Sequence, residues 1–219
     1  MINIALDGPA GSGKSTIAKA ISKKLNILYL DTGAMYRAFG LMAHRLGVDT
    51  TNASEVETIV DKVNVSVKYE NGSQRTYLNG EDVSEAIREN VISMKASQVS
   101  AHQSVREKLV ELQREIASNI DCVLDGRDIG THVLPNAEFK FYVTASLEVR
   151  TERRYNELVA KGQTVDKEAL KNEIATRDYN DSHRKFAPLR QAEDAIYLDT
   201  SLMTAEEVVD FVLTKVKRG

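Results

Sequence analysis

The sequence predicts an α/β protein in which a parallel sheet is covered by helices. Three observations support this fold class: short apolar runs alternate with helical stretches, several runs end in aspartate, and a glycine-rich loop follows the first run. Strands that alternate with helices form parallel sheets that are buried on both faces. The 219 residues suffice for one domain with insertions.

The predicted strands are apolar runs bounded by Gly, Asp or Thr: Ile2–Leu6, Ile27–Leu30, Cys122–Leu124, Phe139–Val143 and Ile196–Leu198. Four of the runs end in Asp7, Asp31, Asp125 and Asp199. Ligands of parallel sheets bind at the carboxyl ends of the strands. We therefore expect these carboxylates at the ligand-binding edge of the sheet.

Two stretches interrupt this alternation. Over about 63–84 the apolar period becomes two, and Asn71-Gly72 and Asn79-Gly80 are hairpin signals, so we predict a small antiparallel β insertion. About 146–188 is polar, helical, rich in arginine and poor in apolar residues, which predicts a helical lid. The prediction is a single domain, 1–219, with a core of about 1–62, 85–145 and 190–219.

Composition favours a small-molecule partner. A net charge of -3 and a pI near 5.9 give no general attraction to nucleic acid or to an anionic membrane. Neither a signal peptide nor an apolar run of about 18 residues is visible in the sequence. We predict a cytoplasmic monomer that binds neither nucleic acid nor membrane, with its one cysteine, Cys122, in the core.

A phosphate-binding loop follows the first predicted strand. Gly8–Ser15 carries the complete G-x-x-x-x-G-K-[ST] pattern, and a helix is predicted from about Lys14 to Leu25. The glycines let backbone N–H groups converge, and the helix N-terminus adds positive potential. Lys14 should reach the outer phosphates of ATP, and the Ser15 hydroxyl should ligate Mg²⁺. The predicted ATP site includes Gly8, Pro9, Ala10, Gly11, Ser12, Gly13, Lys14, Ser15 and Thr16.

Two further motifs narrow the class. Asp31–Arg37 reads D-T-G-A-M-Y-R, and Asp125–Asp128 reads D-G-R-D. Together with the loop and Ala96–Val99, they resemble the bacterial cytidylate kinases, a branch of the nucleoside monophosphate kinases. The resemblance covers essentially the whole chain, including the insertion and the arginine-bearing segment Arg177–Leu189. It implies an enzyme that transfers the γ-phosphoryl group of ATP to CMP or dCMP.

The resemblance also implies roles for individual residues. Asp128 would contact the cytosine edge, since a carboxylate accepts a hydrogen bond from the amino group that uracil lacks. Arg37 and Arg127 would bind the monophosphate. The implied CMP site comprises Thr32, Tyr36, Arg37, Ser97, Arg106, Arg127, Asp128, Arg177 and Arg184, and the implied catalytic residues are Lys14, Arg127, Arg177 and Arg184.

Helical spacing supports two of these arginines. Arg37 lies on a helix predicted over Gly33–Ala43, and neither it nor Arg106 has an acidic residue three or four positions away. We therefore predict that Arg37 binds an anion. For Arg106, together with Ser97, the resemblance implies contact with the pyrimidine ring. Arg177 lies four residues from Asp181, so spacing alone indicates a surface ion pair.

The predicted lid carries further arginines. Arg150 and Arg154 are four residues apart on one predicted helix, where like charges repel, and an anion between them would relieve the repulsion. Glu157 gives Arg153 an ordinary helical partner. We predict phosphate contact within this group and assign Arg153 and Arg154 to the ATP site.

Several alternatives stay open. Asp7 and Asp125 could hold waters of Mg²⁺ or cap nearby backbone. Another small-acceptor kinase, acting on UMP, AMP or a non-nucleotide alcohol, would keep the loop without needing Asp128. A GTP switch would carry an Asn-Lys-x-Asp segment, which the sequence lacks. A nucleic-acid module would use the arginines of 150–190, but acidic residues interrupt them.

Overall fold

The computed structural model describes residues 1–70 and 72–216. These residues form two compact units. The insertion unit comprises Tyr29–Ile120 together with Met1, and the loop unit comprises Ile2–Leu28 and the chain from Asp121 onward. Each unit has its own buried residues and its own part of the predicted site. The predicted division into core, insertion and lid stays a prediction.

The strands form two sheets. The first has the order β2-β6-β1-β7-β8, and β1 pairs in parallel with β6 and β7, as β7 does with β8. The second has the order β3-β4-β5 and is antiparallel. The predicted parallel sheet and small antiparallel sheet are therefore confirmed. The strands are β1 Asn3–Asp7, β2 Leu28–Asp31, β3 Val65–Glu70, β4 Ser73–Leu78, β5 Glu81–Asp82, β6 Cys122–Gly126, β7 Phe139–Thr144 and β8 Ile196–Asp199.

Helices separate the strands of the parallel sheet. They are α1 Lys14–Leu25, α2 Thr32–Arg45, α3 Ala53–Val60, α4 Asn90–Val99, α5 Gln103–Ala117, α6 Leu147–Ala160, α7 Lys167–His183 and α8 Ala205–Val216. The first has the predicted bounds, and the second extends the predicted helix by one residue at its start and two at its end. Within 1–70 and 72–216, no helix has the length and apolar character needed to cross a bilayer.

The core of the loop unit is built on the central strands of the sheet. Ile4, Ala5 and Leu6 of β1 are fully buried, as are the first three residues of β6. Such continuous apolar runs are typical of parallel strands that are covered on both faces. Cys122 lies in this core, as predicted, and burial raises the pKa of its thiol to about 12.

The antiparallel insertion turns where the sequence indicates. Asn79 and Gly80 both have positive φ, 50° and 87°, which is the backbone conformation of the tight turn that Asn-Gly favours between paired strands. The other predicted turn, Asn71-Gly72, includes Asn71, which lies outside the described residues. The insertion is therefore a three-stranded sheet rather than a single hairpin.

The predicted lid segment forms two helices with a small core of their own. Ser146 caps the start of α6 and Asp166 caps the start of α7. Leu158 of α6 packs with Leu170 and Ile174 of α7, and further apolar side chains pack against this cluster. The segment thus holds more apolar contact than its polar composition indicates.

A glycine lets α2 and α4 approach closely. A Cβ atom added to Gly40 would lie 2.9 Å from the backbone nitrogen of Ala96, so the helices would have to move apart. Inside a helix, Gly→Ala normally stabilises by about 1 kcal/mol. Overpacking against backbone costs about 1–3 kcal/mol. We expect Gly40→Ala to lower the free energy of unfolding, measured in urea, by about 1 kcal/mol. A variant more stable than the wild type would contradict this packing.

Candidate active site

The glycine-rich loop begins with a backbone contact that admits no side chain. Gly8 has a φ of 147°, and a Cβ atom on it would lie 1.9 Å from the carbonyl oxygen of Val143. Gly13, at φ 91°, is the N-cap residue of α1. Having no side chain, it cannot cap the first-turn N–H groups of the helix. These groups and the helix dipole are suited to phosphate binding.

Lys14 is buried inside this loop. Its ammonium group donates to the carbonyl oxygen of Pro9 at 2.6 Å and to the Ser12 hydroxyl at 3.0 Å. Burial lowers the pKa of Lys14 well below its usual value, and the positive charge of Arg127 lowers it further. A bound polyphosphate would favour the charged ammonium, because an adjacent opposite charge stabilises the ionised form.

Ser15 and Asp125 meet beside the loop. The Ser15 hydroxyl donates to Oδ2 of Asp125 at 2.6 Å. Hydroxyl and carboxylate oxygens are hard ligands of the kind that Mg²⁺ prefers, and Mg²⁺ in phosphoryl-transfer sites needs only one or two of them beside the phosphates. The oxygen pair therefore suits the metal that the loop pattern implies.

Asp7 holds the backbone that follows the D-G-R-D motif. One carboxylate oxygen accepts the N–H of Ile129 and the other accepts the N–H of Gly130, both at 2.7 Å. Burial raises the pKa of Asp7 to about 6, although both hydrogen bonds oppose that shift. Of the two alternatives for Asp7, the backbone-capping one is what the structure contains. Asp7 thereby fixes the turn that starts next to Asp128.

The predicted catalytic arginines of the loop unit gather around Asp181. Arg127 donates from Nε to Asp181 at 2.7 Å. Burial raises the pKa of the Asp181 carboxyl, but the attraction of Arg127, Arg177 and Arg184 outweighs it and the pKa is lowered. Arg127 shows the converse: burial lowers its pKa, and Asp181 reverses the effect. Buried cations and a buried anion thus stabilise each other.

Asp128 and Arg184 form a second buried pair in the same unit. A guanidinium nitrogen of Arg184 lies 3.3 Å from Oδ1 of Asp128, and both side chains are about 5% exposed. Arg184 also donates from Nε to the carbonyl oxygen of Ala187 at 2.6 Å. The structure thereby brings Arg127, Arg177 and Arg184 together near Asp181, and it pairs Asp128 with Arg184.

Sequence reasoning missed two acids of α7. Spacing predicts that Asp181 is the partner of a surface arginine, whereas the structure buries it. Asp178 accepts the N–H of Ala10 at 3.2 Å and pairs with Arg150 at 2.5 Å. The helical period was the available signal, because residues three or four apart share one helix face. Asp178, Asp181 and Arg177 therefore lie on one side of α7.

The arginines of the first lid helix have separate acidic partners. Arg150 pairs with Asp178 and Arg154 pairs with Glu157, so carboxylates offset their like charges. Phosphate contact by this group stays a prediction. The predicted pairing of Arg153 with Glu157 is wrong. Arg153 instead donates to the hydroxyl and the carbonyl oxygen of Thr200, at 3.0 and 2.7 Å. Glu157 pairs at helical spacing with Arg154 and Lys161 instead. The partner of Arg153 comes from outside its own helix.

In the insertion unit, Arg37 has an acidic partner that the sequence analysis did not find. Its guanidinium group lies 2.9 Å from Oδ2 of Asp31. Asp31 is the N-cap residue of α2, and its Oδ1 accepts the N–H of Ala34 at 2.8 Å. The expectation that Arg37 lacks a nearby acid is wrong because the acid lies six residues away, before the first helical turn. Thr32 begins the same helix and is buried.

Tyr36 and Arg106 lie together in the insertion unit. The Arg106 guanidinium carbon is 5.2 Å from the centre of the Tyr36 ring, and Arg106 is only 1% exposed. Arg106 also donates to the carbonyl oxygen of Ser100 at 3.2 Å. These two partners come from outside its own helix. Ser97, the remaining predicted residue of this unit, is half-buried on α4.

A P-loop phosphotransferase is defined by three features of the loop unit: the glycine-rich loop, the pair of Ser15 and Asp125, and the cluster of arginines near Asp181. A family model described as cytidylate kinase matches residues 4–218. The chain is 50% identical to the cytidylate kinase of Streptococcus sanguinis over 218 residues, which covers 99% of this chain and 97% of that one. It is 49% identical to that of Caldicellulosiruptor bescii over 212 residues, 97% and 94% of the two chains. The chain belongs to the cytidylate kinase family.

Solved structures support the fold. A shikimate kinase from Bacteroides thetaiotaomicron superimposes with a TM-score of 0.50 at 14% identity, covering 99% of this chain and 98% of that one. An uncharacterised protein from Eubacterium ventriosum gives 0.56 at 13% identity, with all of both chains covered. At this identity the likeness concerns the arrangement of helices and strands.

The raised pKa of Asp7 makes its contribution to stability depend on pH. The folded state binds the proton more tightly than the unfolded state, where the ordinary value is 3.8. Stability from this group is present below about pH 4 and is lost as the pH rises through about 6. The difference between the two pKa values corresponds to about 3 kcal/mol.

We expect the stability of the wild type relative to Asp7→Asn to fall by up to about 3 kcal/mol between about pH 4 and pH 7. Urea unfolding of both proteins across this range measures it. Other carboxyl groups titrate in both proteins and cancel in the difference. A difference that does not change with pH would contradict the raised pKa.

Proposed function

We propose that the chain transfers the γ-phosphoryl group of ATP to CMP and to dCMP, giving ADP with CDP or dCDP in pyrimidine nucleotide metabolism. The observation that carries the proposal is the buried ion pair between Asp128 and Arg184. Asp128 directly follows Arg127 in the sequence. A carboxylate fits the exocyclic amino group of cytosine, and guanidinium groups fit phosphate oxygens. Family membership supports the same acceptor.

The loop unit would hold ATP. The residues from Gly8 to Ser15, with Thr16 after them, would bind the phosphates through backbone N–H groups, and Lys14 would contact the outer phosphates. Arg153 and Arg154 stay assigned to the ATP site as a proposal. For Arg153, support comes from its guanidinium group, which lies at the end of β8 because it donates a hydrogen bond to Thr200. Ligands of parallel sheets bind at such strand ends.

Each unit contains residues proposed for the acceptor. In the insertion unit, Arg37 would bind the monophosphate. Ser97 and Arg106 would contact the pyrimidine. Thr32 and Tyr36 would form the rest of the CMP-binding surface of this unit. In the loop unit, Asp128 would accept the cytosine amino group. Arg127, Arg177 and Arg184 would bind phosphate. Support comes from the chemistry of the cluster, since the guanidinium groups of Arg127 and Arg184 already bind the carboxylate oxygens of Asp181 and Asp128 and suit phosphate oxygens equally.

Mg²⁺ fits the oxygen atoms of Ser15 and Asp125, and we propose these two residues as its protein ligands. When bound with ATP, the metal would neutralise charge on the phosphate oxygens. The protein's own contribution is orientation. Lys14 and the loop N–H groups hold the donor, and the arginines stabilise charge on the transferring group. Because the acceptor is already a phosphate oxyanion, the reaction requires no general base.

Further parts of the proposal rest on sequence alone. The lid would close over both substrates and exclude water. A cytoplasmic location, a monomeric state and the lack of nucleic-acid or membrane partners stay predictions. Turnover of UMP or AMP remains the alternative for the acceptor.

The acceptor assignment is tested by ADP formation from ATP and Mg²⁺ with CMP, dCMP, UMP, AMP or GMP offered separately. We expect turnover mainly with CMP and dCMP. Asp128→Ala should lower kcat/KM for CMP by about 100-fold, because it removes a charged acceptor from a buried site. UMP turnover should fall much less.

Asp210→Ala is the matched control, since it removes an exposed aspartate that pairs with Lys24. This variant should have the wild-type kcat/KM for every acceptor. Equal losses for CMP and UMP in Asp128→Ala would exclude Asp128 from reading the base. Acceptor-independent ADP formation would exclude the monophosphate-kinase function.

The proposed metal site is tested by Ser15→Ala. Loss of one protein oxygen should raise the Mg²⁺ concentration for half-maximal activity about tenfold and lower kcat, while KM for CMP stays close to the wild-type value. Ser118→Ala, which removes an exposed hydroxyl bonded to the Glu115 carbonyl, should show wild-type Mg²⁺ dependence. An unchanged Mg²⁺ titration in Ser15→Ala would rule out Ser15 as a ligand.

A further inference from the structure

The outer edge of β2 is covered by side chains of the antiparallel insertion. β2 is the end strand in the order of its sheet. An edge strand presents backbone N–H and C=O groups that need partners. Residues two apart on a strand direct these groups to the same side, and in β2 the residues concerned are Tyr29 and Asp31. A side chain of β3 contacts Tyr29, and a side chain of β4 contacts Asp31.

Gln74 of β4 binds both backbone groups of Asp31. Its Oε1 accepts the Asp31 N–H at 2.8 Å, and its Nε2 donates to the Asp31 carbonyl oxygen at 3.3 Å. One amide side chain thus replaces the pair of hydrogen bonds that a neighbouring strand would make. Gln74 is further oriented by a 3.3 Å hydrogen bond to the buried Thr76.

Tyr69 of β3 adds a second contact to the same edge. Its hydroxyl donates to the Tyr29 carbonyl oxygen at 3.1 Å. Tyr69 and Gln74 are directly opposite each other in the β3–β4 ladder. Adjacent positions in the antiparallel sheet therefore supply partners for alternate residues of β2, with the spacing that a strand edge requires.

Asp31 connects this contact to the acceptor site. Its carboxylate caps the start of α2 through Ala34 and pairs with Arg37. The backbone of Asp31 is held by Gln74, and its side chain holds Arg37. A movement of this backbone would displace the cap and the guanidinium group together.

We propose that Gln74 is a positioning residue for the acceptor phosphate, which it serves by fixing Asp31 and through it Arg37. Tyr69 supports the same edge. The antiparallel insertion thereby helps to position the residue that binds the acceptor phosphate. This inference rests on the proposed function, in which Arg37 binds the monophosphate.

Kinetics distinguish positioning from a merely structural role. Gln74→Leu keeps the size of the side chain and removes both hydrogen bonds to Asp31. We expect KM for CMP to rise about three- to tenfold, the range that one or two neutral hydrogen bonds predict, while KM for ATP stays within about twofold. Tyr69→Phe should show a smaller rise in KM for CMP.

Two control variants remove comparable groups that do not contact β2. Tyr77→Phe deletes a tyrosine hydroxyl of the same sheet that contacts Glu70, and Gln103→Leu deletes an exposed glutamine of α5 that contacts Glu107. Both should keep the wild-type KM for CMP. A loss of thermal stability in Gln74→Leu with no rise in KM for CMP would overturn the proposal.

A double-mutant cycle tests whether Gln74 acts through Arg37. In an Arg37→Met background, Gln74→Leu should add little to KM for CMP. A full additional rise would overturn the proposed route. If Arg37→Met alone leaves KM for CMP unchanged, the assignment of Arg37 fails and this proposal fails with it. If Arg37→Met raises KM while Gln74→Leu does not, only the positioning role fails.

Discussion

Buried positive charge is the constraint on which the loop unit depends. Lys14, Arg127, Arg150 and Arg184 all lie largely out of solvent, and an unpaired buried cation is costly. Each therefore has oxygen atoms as partners. Lys14 uses the loop itself, and the arginines use carboxylates of α7 or of the D-G-R-D motif. A cluster of buried cations therefore requires acids beside it.

This constraint explains why α7 carries both signs of charge on one side. Asp178 and Asp181 are the counter-charges of Arg150 and Arg127, and Asp178 also accepts the N–H of Ala10. A helix with arginines alone would repel the loop and the β6 end that it faces. Two of the acids that interrupt the arginines of 150–190 are thus structural partners of buried cations.

The parts of the fold that depend on local sequence pattern could be predicted from the sequence. The loop, α1 and the strands around it follow from contiguous motifs and apolar periods, and Asn79-Gly80 fixed its turn because both residues adopt positive φ readily. Ion pairs were predicted poorly. Arg127 pairs with an acid 54 residues away, and Arg150 with one 28 residues away. Helical spacing also failed for Arg37, because its partner precedes the helix.

Residue chemistry rather than fold separates this chain from its structural neighbours. A shikimate kinase shares the arrangement of strands and helices at 14% identity, so the fold alone does not select an acceptor. Selection requires groups placed to within a fraction of an ångström. Asp7 meets that requirement in the loop unit, since its two hydrogen bonds fix the turn after Asp128. In the insertion unit, the Asp31 carboxylate fixes α2 and Arg37 in the same way. In each unit, therefore, a strand-terminal aspartate that binds backbone N–H orients a residue proposed for the acceptor, and the end of the strand supplies precision that flexible arginines lack.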